Sequence, residues 1–119
     1  MPRRRRVGAQ RAVEPLVLEV ENGIWIVDLR TVWPLDEQAI LRSIEKTSRV
    51  LVLQEASRST GAAGVILSLI ARHSFEHLDA PPELHAPPDT PVPFAPELED
   101  AYMPSVESTA AALDQLLAY

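Results

Sequence analysis

Apolar residues along this chain change their period several times, and each change marks an element. Ile24-Trp-Ile-Val-Asp-Leu29 is β-branched or aromatic, with both alternating faces apolar except at Asp28, so it reads as a strand. Pro34 lacks a ladder donor and pushes Trp33 out of the α region, which ends that strand before it. Asp36 is placed to cap a helix over 37–46, with Ile40, Leu41 and Ile44 on one face and Arg42 and Glu45 on the other. Residues 50–53 are apolar without alternation, the pattern of a strand buried on both faces and hence parallel. The polar run 54–61 leaves its carboxyl end.

A second helix is expected from about residue 62 to 75. Val65, Ile66, Leu69 and Ile70 occupy most of its circumference, so it must be covered on nearly all sides, by the sheet and by another subunit. Residues 81–96 hold seven of the eleven prolines, leaving room for one short strand at 83–86 in an otherwise extended segment. Val92, Phe94 and Leu98 are the anchors expected to lay that segment across a surface. Ser105 then caps a helix reaching about Ala118, with Glu107 in its first turn and Val106, Ala110, Leu113 and Leu117 as its buried stripe. Ahead of the first strand, residues 11–21 place Val13, Leu16, Val17 and Val20 at helical spacing, with Pro15 in the first turn and Asn22-Gly23 as a C-cap pair. Helix is the reading of that stretch, although its valines would also accept a strand. There is no internal repeat. The order of elements predicts an α/β domain with three α/β/α layers and a mostly parallel sheet.

Charge adds an asymmetry. The 119 residues carry a net −6, yet five of the eleven basic groups (Arg3, Arg4, Arg5, Arg6 and Arg11) precede the first acid. The other 108 residues hold 6 basic and 17 acidic groups, a formal −11. So acidic a body repels phosphate backbones, which argues against nucleic acid as a partner and suits a basic protein instead. Residues 1–10 read as an Arg-rich disordered tail and 11–119 as the domain. No apolar run approaches the ~18 residues that span a bilayer, so no membrane role is expected. The absence of cysteine removes disulfides, thiol nucleophiles and thiolate metal sites, and is compatible with a cytoplasmic home.

Candidate chemistry is sparse. His73 and His77 share the spacing of zinc-binding helices, but Glu76 is in the wrong place for the His-Glu-x-x-His motif and His85 lies beyond Pro81-Pro82. Surface histidines favoured by a helix C-terminus explain them better, and no metal site is expected. The loop 54–61 runs from a strand end into a helix start, the usual ligand crevice of an open α/β sheet. There Arg58 is suited to assist an anion. The loop has neither a dinucleotide fingerprint nor a P-loop lysine, and Ser57 and Ser59 lack a nucleophile elbow. Glu55, the one carboxylate at that strand end, has no visible catalytic partner, so a loop hydrogen bond or a salt bridge to Arg58 is the simpler role. Gln54, Glu55 and Arg58 are therefore the residues to watch beside that crevice, with no catalytic or cofactor-binding residue expected.

Several strings are distinctive. Asp28-Leu-Arg-Thr-Val-Trp-Pro-Leu-Asp36, Val50-Leu-Val-Leu-Gln-Glu-Ala56, Phe75-Glu-His-Leu-Asp-Ala-Pro81, and Asp89-Thr-Pro-Val-Pro-Phe-Ala95 with Leu98-Glu99 and Pro104 occur in one order over about residues 24–118. They resemble the C-terminal domain of 2-oxo acid dehydrogenase beta subunits, within the wider transketolase C-terminal family. The resemblance implies a thiamine-diphosphate- and magnesium-dependent oxidoreductase complex. Its cofactor would be held by an alpha subunit and the beta subunit's N-terminal domain, not by this chain. It further implies a role in subunit packing and in docking the subunit-binding domain of the acyltransferase, with Ile66, Leu69, Ile70, Phe94, Leu98 and Glu99 as interface candidates. The isolated chain is then expected to be inactive, and to form homo- or hetero-oligomers. Departures are concentrated in one loop: Gln54 stands where the family commonly has histidine, Ser57 where it has proline, Thr60-Gly-Ala-Ala63 where it has Gly-Gly-Phe-Gly, and Val65 where it has glutamate. The family's first strand also lacks a counterpart in residues 1–10. The alternatives are a free-standing interaction module or a gene fragment of that family.

Overall fold

The computed structural model describes residues 14–119. The Arg-rich stretch 1–10 and the start of the expected first helix lie outside the described residues. β1 (Leu16–Val20) and β2 (Ile24–Asp28) form an antiparallel hairpin, turned by a 3-10 step at Glu21–Gly23. Here the helix expected over 11–21 gives way, in its described part, to a strand at Leu16–Val20. The reason lies in the pairing: Val17 faces Val27, Leu18 faces Ile26 and Val20 faces Ile24, so apolar and mostly β-branched residues meet across the ladder instead of stacking along a helix. Gly23, at φ +74°, supplies the left-handed turn residue in place of the expected helix cap.

The two faces of this hairpin differ. Trp25 and Val27 are half-buried toward α1 (Glu37–Thr47), and the Lys46 ammonium sits 4.2 Å from the Trp25 ring centroid. Leu16, Leu18, Val20 and Ile26 share the other face and are exposed. Between β2 and α1 the chain turns on Arg30, at φ 58°, whose amide donates to Asp28 Oδ1 at 3.2 Å, and passes through a cis Trp33–Pro34 peptide.

Asp36 caps α1 as expected, its Oδ1 accepting the Ala39 amide at 3.0 Å, and Ser48 closes the other end at φ 57°. Ile40 and Ile44 are buried, and Arg42 and Glu45 face solvent. β3 (Leu51–Leu53) pairs in parallel with β4 (Glu83–His85), and α2 (Ala63–His73) makes the crossover between them. That unit carries the α/β character of the domain. Parallel pairing among the described residues is confined to it, because β2 is engaged by β1 in a separate two-stranded sheet.

One core joins these elements. Ile40, Ile44, Val52, Ala63, Ile66 and Ile70 are its buried members, with Leu29, Leu35, Leu78 and Leu84 packed around them. The strand β3 is not buried on both faces as its composition suggests, since Leu53 is exposed. After β4, α3 (Pro96–Tyr102) is a helix that proline content conceals, with Pro96 in the first turn where a missing amide costs nothing. α4 (Val106–Ala118) packs against β3 and β4. Its N-terminus is a reciprocal cap: Ser105 Oγ accepts the Ser108 amide, and Ser108 Oγ accepts the Ser105 amide, at 3.0 and 2.9 Å. The buried stripe differs from expectation. Leu116 is the buried residue, Leu113 is half-buried, and Val106, Ala110 and Leu117 are exposed.

Candidate functional site

The loop from Gln54 to Gly61 leaves the carboxyl end of β3 and enters α2. Its backbone carries few bonds of its own, so one side chain organises it. The Gln54 amide nitrogen donates to the carbonyls of Ser57 and Thr60 at 3.1 and 2.9 Å, while its Oε1 accepts the Ala63 amide at 3.1 Å. That last bond caps α2, whose own N-cap residue, Ala62, has no side-chain acceptor. A Cβ on Gly61, at φ +74°, would stand 2.7 Å from Gln54 Oε1 and 2.8 Å from the Ala56 Cβ. Glycine is therefore required for Gln54 to reach the helix.

The loop is also tied outward. The Arg58 amide donates to the Pro87 carbonyl at 2.9 Å and its guanidinium to the Leu84 carbonyl at 3.4 Å. Ser59 donates twice to Asp89, from its amide to Oδ1 at 2.8 Å and from Oγ to Oδ2 at 2.6 Å. These bonds, with the Arg58 charge nearby, hold the Asp89 carboxyl below the usual carboxylate range. Glu55 is exposed and makes no ion pair with Arg58 among the described residues. So the three loop residues singled out by sequence have different fates: Gln54 is the loop's keystone, Arg58 a strut, and Glu55 a solvent-facing group. Sequence reasoning assigned no role to Asp89, which stood out only as the first residue of the string Asp89-Thr-Pro-Val-Pro-Phe-Ala95.

Beside this loop lies an apolar cleft of about 410 Å³, lined by Val32, Trp33, Leu35, Gly61, Ala62, Val65 and Ile66. Trp33 is 87% exposed and Val65 65% exposed. Of the interface candidates on α2, Ile66 and Ile70 are taken into the chain's own core and Leu69 is half-buried, whereas Val65 turns outward. Farther along, Phe94 is fully exposed and Leu98 is 60% exposed, with Glu97, Glu99 and Asp100 around them on α3. Phe94 and Val92 thus do not anchor the proline segment by burial. His73 and His77 are exposed, and no group of three or more metal-ligating side chains is found among the described residues. His85 instead bonds Ser108 Oγ at 2.9 Å through Nε2, joining β4 to α4. No helix of the described residues is long and apolar enough to cross a membrane.

A crossover helix over a parallel strand pair defines an α/β domain, and it leaves an apolar rim exposed among the described residues. The family model for the transketolase C-terminal domain matches residues 8–109, and the chain belongs to that family. Among curated proteins it is 45% identical over 104 residues to the beta subunit of acetoin:2,6-dichlorophenolindophenol oxidoreductase from Cupriavidus necator, covering 86% of this chain and 31% of that protein. It is 38% identical to the 2-oxoisovalerate dehydrogenase subunit beta of Pseudomonas aeruginosa, over 92% of this chain and 29% of the relative. With the pyruvate dehydrogenase E1 component subunit beta of Rickettsia felis it shares 35% identity over 79% of this chain and 29% of the relative. The chain spans about a third of the length of these relatives.

Proposed function

We propose that this domain is the packing and docking domain of a beta-type subunit in a thiamine-diphosphate-dependent 2-oxo acid dehydrogenase assembly of the cytoplasm, and that it is not catalytic alone. Its neighbours in this reading are an alpha subunit and a beta N-terminal half, with the subunit-binding domain of an acyltransferase docking on its surface. One observation carries the reading: Val32, Trp33, Val65, Phe94 and Leu98 are large, apolar and exposed on a chain whose core is already closed by Ile40, Ile44, Ile66 and Ile70. Covering such side chains releases free energy that their exposure to water forgoes.

Thiamine diphosphate with magnesium needs hard oxygen ligands and free amides or cations for its phosphates. The described residues do not fit that demand. The α2 amide at Ala63 is taken by Gln54, the Arg58 guanidinium is turned to the Leu84 carbonyl, and both Asp89 oxygens already accept from Ser59. What this chain supplies in the proposed assembly is surface: the apolar cleft for close packing, and the acidic border of α3 for a basic partner.

The test is size-exclusion of the purified chain mixed with an alpha subunit and the N-terminal half of a beta subunit. Co-elution, and loss of it on Trp33→Ser, is the expected result. Failure to co-elute would leave a free-standing interaction module as the better account. Turnover of a 2-oxo acid by the chain alone, with thiamine diphosphate and magnesium, would overturn the non-catalytic assignment.

A further inference from the structure

The proline segment between β4 and α3 poses a question of what holds it. Pro87 is fully buried, but Val92 and Phe94, farther along, are exposed, so burial fixes only its beginning. Beyond Pro87 the bonds that tie it to the body run through Asp89, which offers one oxygen to the Ser59 amide and the other to the Ser59 hydroxyl. Both are short and charge-assisted, and both end on a single residue of the loop after β3. The loop in turn is closed internally by Gln54, whose side chain bonds Ser57, Thr60 and Ala63.

We infer that Asp89 and Ser59 form a latch: it sets the course of the proline segment over the loop after β3, and thereby the place at which Phe94 and α3 are presented. With the latch closed, the loop and the Phe94–Leu98 surface form one body. Opened, the strap swings from Pro87 while the core formed by α1, α2 and β3 stays folded, because no core residue depends on Asp89. The inference concerns the chain by itself and does not rest on the proposed assembly.

Hydrogen exchange of the full chain tests it. Asp89→Ala should speed exchange of the Ser59 amide, and of the Thr90 amide that bonds the Pro88 carbonyl, at least about fivefold, the loss of roughly one net hydrogen bond. Protection of Ser74 and Ile66, whose amides bond Ile70 and Ala62, should not change. Asp89→Asn should restore the closed state, since its carbonyl accepts the Ser59 amide and its NH2 donates to the hydroxyl. Unchanged exchange at Ser59 in Asp89→Ala would overturn the latch. So would an equal rise at Ser74 and Ile66, which would make Asp89 a residue of global stability.

Discussion

Gln54 and Gly61 form a pair in which each residue explains the other. Removing the amide by Gln54→Ala leaves the Ala63 amide and the Ser57 and Thr60 carbonyls to find other partners in a half-buried loop. A cost of about 2 kcal/mol follows from three partners losing one side chain. Gly61→Ala forces a Cβ against Gln54 Oε1 at a left-handed φ and should cost about 1–3 kcal/mol. The two costs must not add, because the contact that Gly61→Ala offends at 2.7 Å belongs to Gln54. Urea denaturation of both single variants and the double variant checks this. Strict additivity would mean that the amide does not occupy the space assigned to it.

At the level of elements, α2 shows two faces with opposite fates. Ile70 is completely buried, so Ile70→Ala should cost about 3–4 kcal/mol as transfer and cavity terms combine. Val65 is 65% exposed in the first turn of the same helix, where a negative charge meets the positive end of the dipole. Val65→Glu should therefore change stability by no more than about 0.5 kcal/mol, and a fall in urea midpoint comparable to that of Ile70→Ala would contradict the assigned orientation. Sequence pattern alone counts both residues in a circumference to be covered on nearly all sides. It read hydrophobicity correctly and could not tell which neighbour would supply the cover. The same blindness explains Val106, Leu117 and Phe94, apolar side chains that are exposed on this chain.

Where a local signal was sufficient, the reading was good. The Asp36 cap, the Ser105 cap, the parallel strand at 51–53 and the loop after it each depend on a few adjacent residues. Residues 16–20 were different. Their valines and leucines satisfy helix and strand alike, and the choice was made by a partner strand beyond Gly23. The keystone role of Gln54 was legible only as a departure from the family, because its three acceptor and donor groups lie up to nine residues away.

For the whole molecule the decisive quantity is apolar surface without cover. Trp33 and Phe94 together expose two of the chain's six aromatic side chains almost fully. Burying each against a neighbour would contribute about 2–3 kcal/mol, which corresponds to some 30- to 150-fold in an association constant per residue. The isolated chain should accordingly bind a hydrophobic dye and self-associate with rising concentration. The double substitution Trp33→Ser with Phe94→Ser should suppress both, yet leave the urea midpoint within about 0.5 kcal/mol of wild type, because neither ring contributes to the core. Light scattering over a concentration series, paired with urea denaturation of the same samples, separates the outcomes. A wild-type chain that stays monomeric and binds no dye would mean that these rings are tolerated in water and do not mark a covered face. A double variant that loses both association and folding stability would place the rings in the body of the domain, and the division between a closed core and an uncovered rim would fail with it.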